Sequence, residues 1–207
     1  MDLSVAPCRD VDEFRRAFSA IGQYLGVEPT DSVLDRFLPN MPIERMHAAR
    51  EGADIAGGAG AFPFRMTIPG AVVPTAGTTV VGVYPTHRRR GVLRALMQAQ
   101  LADFHARGEI LAALFASEES IYGRYGYGVT ARAGQITLPR DWTAYSKPFA
   151  PEGRVRIIEA DEALTAMPRI YDALQPRVPG MFVRTPEWWA SRVLPDPPER
   201  RGGGGPK

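Results

Sequence analysis

The chain has 207 residues and a formal net charge of +2, so it is long enough for a sizeable hydrophobic core and is nearly balanced in charge. Its single cysteine, Cys8, excludes an intramolecular disulfide and fits a reducing compartment. The chain begins without a basic region followed by an apolar run, and no apolar stretch approaches the roughly 20 residues of a membrane-spanning helix. We therefore expect a cytoplasmic protein that binds no membrane and no nucleic acid.

The first 70 residues predict two helices and a strand pair. Asp10 or Asp12 caps a helix whose apolar residues recur at helical spacing. A second short helix is expected over residues 30–37, before two prolines. Strands are expected over residues 43–50 and 53–67, the second of them bent at its glycines.

The middle of the chain predicts a strand, a helix and a second strand. A short strand is expected over residues 72–77, and the β-branched run over residues 78–84 predicts a central strand. A long helix is expected over residues 92–106, where Gly108 ends it. A second continuous apolar strand follows over residues 110–116.

The remaining elements are shorter. Ser117 is expected to cap a short helix, and residues 125–130 and 134–138 are expected to form a closing hairpin. After a stretch rich in Pro, Ser and Lys, a strand is expected over residues 154–159. Two helices follow, the first capped by Asp161 and the second opened by Pro186.

Residues 85–91 read Pro-Thr-His-Arg-Arg-Arg-Gly and join the central strand to the long helix. A helix N-terminus presents unpaired N–H groups and a partial positive charge, and Gly91 leaves room for a phosphate to approach. Positive charge around this point comes from Arg88, Arg89, Arg90 and Arg94. We interpret the turn as phosphate-binding, although it has neither the lysine of a Walker loop nor the glycines of a dinucleotide fingerprint.

Gly82 interrupts the strongly β-forming run, which is typical of a bulge or of a close backbone approach. A bulge would splay this strand from the strand over residues 110–116 and open a slot beside the phosphate turn. An extended pantetheine arm could lie in that slot and pair with the main chain of Val81 and Val83.

The segment over residues 117–128 contains three tyrosines and begins at the same end of the sheet as the phosphate turn. In acyl transfer from a thioester to an amine, the amine loses a proton and the departing thiolate gains one. A thiol has a pKa of roughly 8.5 and a tyrosine roughly 10, so a tyrosine in this segment is a suitable proton donor.

Arg88-x-x-Gly91-x-Leu93 resembles the pyrophosphate signature Q/R-x-x-G-x-G/A of GNAT acetyltransferases, with Leu93 in place of the small last residue. The longer strings Val-Gly-Val-Tyr-Pro-Thr-His-Arg-Arg-Arg-Gly-Val-Leu and Ala-Ser-Glu before Ile-Tyr-Gly-Arg-Tyr-Gly-Tyr-Gly are similar to the Eis family (enhanced intracellular survival) of actinobacterial GNAT proteins. The glycine-rich residues 57–64 and the Trp188-Trp189 pair also resemble that family, so the likeness covers nearly the whole chain.

The resemblance implies an α/β fold (α+β mixed) of the GNAT type: a mixed, mostly antiparallel sheet, splayed at a bulge and flanked by helices. It implies an acetyl-CoA-binding domain over residues 1–140 and the start of a second GNAT-like domain over 154–207. The change in composition over residues 141–153 predicts a linker between them. Family members also carry a C-terminal sterol-carrier-like domain and form hexamers. We therefore expect a homo-oligomer and a longer parent protein, of which this chain is the front part.

The resemblance also assigns roles to residues. Tyr122 would be the general acid for the leaving thiolate, whereas Tyr125 and Tyr127 are expected to be structural. The expected acetyl-CoA-binding residues are Val81, Gly82, Val83, Arg89, Arg90, Gly91, Val92, Leu93, Arg94, Ser117 and Glu118. The acceptors would be primary amines, on aminoglycosides or on lysine side chains. In the family the general base is the carboxylate at the end of the chain, which has no counterpart here.

We expect an acetyl-CoA-dependent N-acetyltransferase, an acyltransferase that uses no metal, since three isolated histidines and one cysteine lack ligand spacing. The alternative is a non-catalytic CoA-binding GNAT module, or a fragment without its general base. A nucleic-acid binder would need basic and aromatic residues interleaved elsewhere in the sequence, and none are found. Acidic residues that could attract a cationic amine are Glu28, Asp31, Glu118 and Glu119, but acidic residues are common at caps and turns.

Overall fold

The computed structural model describes residues 3–26, 28–197 and 201, and in these residues a five-stranded mixed sheet lies between helices. The strands are β1 (Leu3–Pro7), β2 (Met46–Glu51), β3 (Asp54–Ile68), β4 (Ala71–Val83) and β5 (Leu111–Ala113). They lie in the order β1-β2-β3-β4-β5. The first four are antiparallel to their neighbours, and β5 runs parallel to β4. This mixed sheet between helices is the predicted fold class.

The helices in the described part of the chain are α1 (Val11–Leu25), α2 (Asp31–Phe37), α3 (Val92–Ala106), α4 (Glu119–Tyr122), α5 (Ala160–Leu174) and α6 (Pro186–Trp188). Short 3-10 turns cover Ile43–Arg45, Pro85–His87, Gly123–Tyr125, Arg140–Trp142 and Gln175–Arg177, and a π turn covers Trp189–Val193.

Helix α3 has its predicted ends and α1 has its predicted start, while the end of α1 at Gly26 is a finding of the structure. Asp10 caps α1, where its Oδ1 accepts a hydrogen bond from the Glu13 N–H at 2.8 Å, and Gly26 ends the helix at a φ of +66°. The chain leaves α3 through Gly108, at a φ of +71°. Both glycines take the left-handed conformation that their terminating positions require.

Each of the two helices covers one face of the sheet. On the α1 face the core contains Phe14, Phe18, Met41, Met46, Phe62 and Val80. On the α3 face it contains Ala49, Ala56, Ala59, Val92 and Leu96, with Val81 and Val83 packed against them. The side chains of β4 therefore alternate between the two cores along the last part of the strand.

Several strand boundaries differ from those that the sequence predicts. The strands expected over residues 72–77 and 78–84 are one continuous strand, β4. Strand β2 begins only at Met46, because residues 43–45 form a 3-10 turn. In this turn Arg45 Nη2 donates a hydrogen bond to Glu109 Oε1 at 2.7 Å. Strand β5 has three residues instead of seven, since the chain turns away from β4 after Ala113 and leaves Phe115 91% exposed.

Residues 125–139 and 154–159 form no strand in the described structure, apart from the 3-10 turn that ends at Tyr125. Most of their aliphatic side chains are exposed, with Ile136 85% and Ile157 96% exposed. An alternating sequence forms a strand only where a neighbouring edge and an apolar face receive it. Here no strand of the described structure pairs with these residues, so the predicted hairpin and the predicted strand at residues 154–159 are wrong for this structure.

Two predicted helix caps are displaced by one or two residues. Helix α4 begins after Glu118 instead of Ser117, and no side chain caps it. Helix α5 begins after Glu159, so Asp161 lies inside its first turn and favours the helix through its charge. The helix opened by Pro186 forms as predicted, with Thr185 as its cap.

The segment after α5 packs onto the outer half of β3. The Thr67 N–H donates to the Met181 carbonyl at 2.9 Å, and the Val183 N–H donates to the Arg65 carbonyl at 2.8 Å. Trp188 packs edge-on against Phe62, with ring centroids 5.1 Å apart. The division into domains stays a prediction, and the glycine-rich end at residues 202–207 lies outside the described residues.

Candidate functional site at the open edge of β4

The last half of β4 has a paired edge and an open edge. Strand β5 pairs with it only over Thr75–Gly77, while β3 follows the other edge to Val83. The Tyr84 N–H donates to the Ala56 carbonyl at 3.0 Å, so the main-chain groups of residues 82 and 84 point toward β3. By alternation, those of Val81 and Val83 point toward the open edge.

A β-bulge sits at the start of this open stretch. Gly58 pairs with Gly82 and Gly60 with Thr79, so β4 carries one more residue than β3 between these pairs. Val80 occupies the bulge at a φ of +54°, which is a rare conformation for a β-branched residue. The predicted bulge is therefore confirmed near Gly82, but it is centred two residues before it.

Gly82 has a different reason to be glycine. A Cβ atom there would stand 2.4 Å from the Ile21 nitrogen, so α1 lies directly against the β4 backbone. The predicted close backbone approach at Gly82 is confirmed, and the approaching element is α1.

The turn between β4 and α3 has the backbone of an anion-binding loop. Arg89 has a φ of +62° and Gly91 a φ of +84°, and such left-handed residues beside right-handed or extended ones direct successive N–H groups to one side. Gly91 then precedes α3, whose first intrahelical bond runs from the Ala95 N–H to the Gly91 carbonyl at 3.0 Å. The N–H groups of the first turn, at residues 92–94, precede that bond and face the same place.

Two of the three consecutive arginines of this turn, Arg88 and Arg90, lie in different surroundings. Arg90 Nη2 lies 2.5 Å from the Glu51 carboxylate, which also lies 3.3 Å from His87 Nε2. The hydrogen bond to Glu118 raises the pKa of the Tyr24 phenol, and the charge of Arg88, which lies near Tyr24, opposes that rise. Arg88 is therefore on the side of α1 and Glu118, whereas the guanidinium of Arg90 is directed toward the end of β2.

Tyr122, the predicted proton donor, is the last residue of α4 and is half-buried. Its ring centroid lies 5.9 Å from that of Tyr127, in an edge-to-face arrangement. The Tyr127 hydroxyl lies 2.8 Å from Oγ1 of Thr78, the first β4 residue beyond the β5 pairing. Through its contact with Tyr127, Tyr122 therefore lies beside the open stretch of β4.

Burial raises the pKa of Tyr122 above its usual value near 10, and the neighbouring Tyr127 and Glu118 raise it further. A tyrosine with a raised pKa keeps its proton at neutral pH. Tyr122 is thus a neutral hydrogen-bond donor beside the open stretch of β4.

Ser117 and Glu118 lie on an exposed turn before α4. The Tyr24 hydroxyl donates to Glu118 Oε1 at 2.9 Å and so joins the end of α1 to this turn. Sequence analysis missed the roles of Tyr24, Thr78 and Glu51. Their partners lie 94, 49 and 39 residues away along the chain, so no local pattern indicates them.

Two further properties concern only residues 3–26, 28–197 and 201. In this part of the chain no group of three or more His, Cys, Asp or Glu residues could hold a metal ion. None of its helices is both long enough and apolar enough to cross a membrane.

A family model described as "Acetyltransferase (GNAT) domain" matches residues 10–130. An uncharacterized N-acetyltransferase of Streptomyces avermitilis is 45% identical over 161 residues, which are 75% of this chain and 38% of that protein. The N-acetyltransferase Eis of Mycobacterium tuberculosis is 38% identical over 151 residues, which are 68% of this chain and 36% of that protein.

The crystal structure of Eis1 from Mycobacterium abscessus superposes with a TM-score of 0.68 and 30% identity, covering 90% of this chain and 46% of that chain. This chain therefore spans less than half the length of each of these relatives. The family model covers the sheet from β2 to β5, the turn after β4 and the segment that carries Tyr122.

Proposed function

The chain belongs to the GNAT acetyltransferase family and is similar to its Eis proteins, and from this premise we propose that it transfers an acetyl group from acetyl-CoA to a primary amine. The observation that carries the proposal is the open edge of β4, which ends in the left-handed turn at Arg89–Gly91. That edge offers hydrogen bonds to an extended chain, and the turn offers N–H groups to a phosphate.

The site fits the donor in two places. The outward main-chain groups of Val81 and Val83 match the amides of a pantetheine arm, and Gly82 between them lets α1 support the strand from behind. The pyrophosphate would lie on the N–H groups of Gly91, Val92, Leu93 and Arg94. Arg89 adds positive charge there. Arg90 contributes through its backbone, which forms part of the turn, because its guanidinium is paired with Glu51.

Acetyl-CoA supplies an acetyl thioester, whose thiolate departs as the amine nitrogen takes the acetyl group. The part of this chain is to hold the thioester and to move a proton. The raised pKa keeps Tyr122 protonated, so its hydroxyl donates a hydrogen bond to the sulfur as negative charge develops there and gives it the phenolic proton. The proton that the amine nitrogen loses passes to solvent, and solvent returns a proton to Tyr122. Ser117 and Glu118 lie beside the donor on the turn before α4.

The acceptor approaches from the side where α1 meets the turn before α4. Glu118 gives that side a negative charge, which favours a protonated amine over a neutral or anionic acceptor. Amines of aminoglycosides and lysine side chains belong to this class. The homo-oligomer that the likeness to Eis implies is part of the same proposal.

Calorimetric titration with acetyl-CoA tests the donor site. We expect saturable binding, weakened about tenfold in Arg89→Ala, because a charge-assisted hydrogen bond to a phosphate contributes about 1.5 kcal/mol or more. Arg169→Ala removes an exposed arginine from α5 and is the matched control. A folded wild-type chain that binds no acetyl-CoA, or an equal loss in both variants, would contradict the proposed site.

Release of the free CoA thiol on addition of a primary amine tests the transfer itself. A chain that binds acetyl-CoA but releases no thiol with any amine would be a CoA-binding module.

A further inference from the structure

Glu51, the last residue of β2, lies among basic groups of the phosphate turn. Its Oε1 is 2.5 Å from Arg90 Nη2, and its Oε2 is 3.3 Å from His87 Nε2. The three side chains are partly shielded, with exposed fractions of 26% for Glu51, 34% for Arg90 and 17% for His87. One carboxylate thus contacts the turn at its beginning and near its end.

This contact lies on the side of β4 away from the open edge. Strand β3 separates β2 from β4, so the end of β2 stands two strand spacings, about 10 Å, from the β4 backbone. A ligand that lies along the open edge is on the opposite side of β4. While it is paired with Glu51, the guanidinium of Arg90 is therefore directed away from that ligand.

The backbone between these two contacts is strained. Arg89 lies between His87 and Arg90 and has a φ of +62°, a left-handed conformation that is unfavourable for a non-glycine residue. Such a conformation persists only when its surroundings impose it. Glu51 contacts a residue on each side of Arg89, by a hydrogen bond from Arg90 and a 3.3 Å approach to His87, so it is placed to constrain this conformation.

We propose that Glu51 is a positioning residue, which holds Arg90 and His87 against the end of β2 so that the N–H groups of the turn face the pyrophosphate. Arg90 then contributes to cofactor binding through its place in the turn, and its guanidinium stays paired with Glu51 in the bound state. The inference rests on the proposed function for the identity of the ligand, but the contact and the strained backbone do not depend on that function.

If Arg90 instead binds the ligand directly, removing the charge of Glu51 should change the affinity in the opposite direction. If Arg90 left Glu51 to bind the pyrophosphate, Glu51 would compete with the ligand, and removing its charge would strengthen binding. If Glu51 positions the turn, removing its charge weakens binding. The direction of change in Glu51→Gln therefore separates the two arrangements.

Titration of CoA into Glu51→Gln, Arg90→Gln, the double variant and the charge-swapped Glu51→Arg, Arg90→Glu chain measures the coupling. We expect each single variant to bind about three- to tenfold more weakly and the double variant no more weakly than the weaker single one, because the two residues act through one contact. The swapped chain restores the pair and binds within about threefold of wild type. Glu152→Gln and Arg169→Gln, at exposed positions, are the matched controls.

Tighter binding by Glu51→Gln, losses that multiply in the double variant, or loss of binding in the swapped chain would each overturn the inference. The last outcome would mean that the Arg90 charge itself contacts the phosphate.

Hydrogen exchange of the peptide over residues 85–94, measured without ligand, keeps the two proposals apart. We expect this peptide to exchange about threefold faster or more in Glu51→Gln and to recover in the swapped chain, with other peptides unchanged. Unchanged exchange in Glu51→Gln would overturn the positioning role, even in a chain that binds CoA. If wild type binds no CoA, the proposed function fails, and the exchange result still decides the role of Glu51.

Discussion

Val80 and Arg89 are the two non-glycine residues with positive φ in the described part of the chain, and both lie at the candidate site. Strained backbone of this kind is found where the surrounding structure requires it, and it clusters at functional positions. Here Val80 forms the bulge that precedes the open edge of β4, and Arg89 shapes the turn that follows it. Sequence patterns predict the turn, because arginines and Gly91 are visible in it, but they do not predict which residue takes the strained conformation.

The role of Tyr122 as proton donor can be tested by removing its hydroxyl. In Tyr122→Phe we expect amine-dependent release of the CoA thiol to fall about a hundredfold, since a positioned acid contributes roughly 10²–10⁴-fold. Affinity for acetyl-CoA should change by less than about threefold, because the ring remains. The pKa of Tyr122 is raised, so the residue stays protonated, and wild-type turnover should show no loss from its ionisation below about pH 10.

Tyr125→Phe is the matched control, since Tyr125 follows in the adjoining 3-10 turn and is expected to be structural. Equal turnover in wild type and Tyr122→Phe would remove Tyr122 from the mechanism. A shared loss in both variants would indicate that the whole turn had moved.

At the scale of elements, one ion pair joins α1 to the first two strands. Arg50 on β2 donates to both carboxylate oxygens of Glu13 on α1, at 2.6 and 2.7 Å, and to the Pro7 carbonyl of β1 at 3.0 Å. Both side chains are buried, so their charges depend on each other. The hydrogen bonds from Arg50 lower the pKa of Glu13 to about 2. The pair holds in place the helix against which β4 rests.

This pair predicts a dependence of stability on pH. Glu13 has a lowered pKa in the folded state, so its stabilisation is present above the unfolded value of 4.5 and is lost as pH falls toward about 2. That shift corresponds to on the order of 3 kcal/mol. Urea unfolding at pH 7, 4 and 2.5 should show this loss in wild type, whereas Glu13→Gln should be less stable at pH 7 and lack this part of the decline.

Glu152→Gln, on an exposed loop, serves as the control for a carboxylate outside any buried pair. If Glu13→Gln showed the same pH profile as wild type, the buried pair would not be the source of the acid sensitivity.

The sequence predicts elements well where the signal is local and poorly where it is not. Asp10 and Gly108 act on their own helices, and the start of α1 and the end of α3 follow from them. The length of β5 depends on how far β4 stays beside it, and residues 125–138 depend on an edge that receives them. The contacts from Glu51 to Arg90 and from Tyr24 to Glu118 join distant segments, so only the fold brings them together.

At the scale of the whole molecule, the segment over residues 175–193 shares a core with the sheet. Trp188 packs against Phe62 and Phe64, and Gln175 Nε2 donates to Thr67 Oγ1 on β3 at 2.6 Å. Sequence composition places a linker at residues 141–153 and a new domain after it. The packing of this segment onto β3 joins part of the proposed second domain to the core of the first.

We therefore expect one cooperative thermal transition for the described fold. In Trp142→Phe, which removes an exposed indole, the remaining fluorescence reports Trp188 and Trp189, and its midpoint should agree with that of the far-ultraviolet circular dichroism within about 2 °C. Fluorescence that changes well before the dichroism would instead support independent domains over residues 1–140 and 154–207.

The open edge of β4 also affects how the purified protein behaves at high concentration. Unpaired N–H and C=O groups along a strand accept a strand from another molecule as readily as they accept an extended ligand. Self-association and ligand binding would then compete for the same row of backbone groups, so a saturating ligand is the natural additive for keeping this protein dispersed.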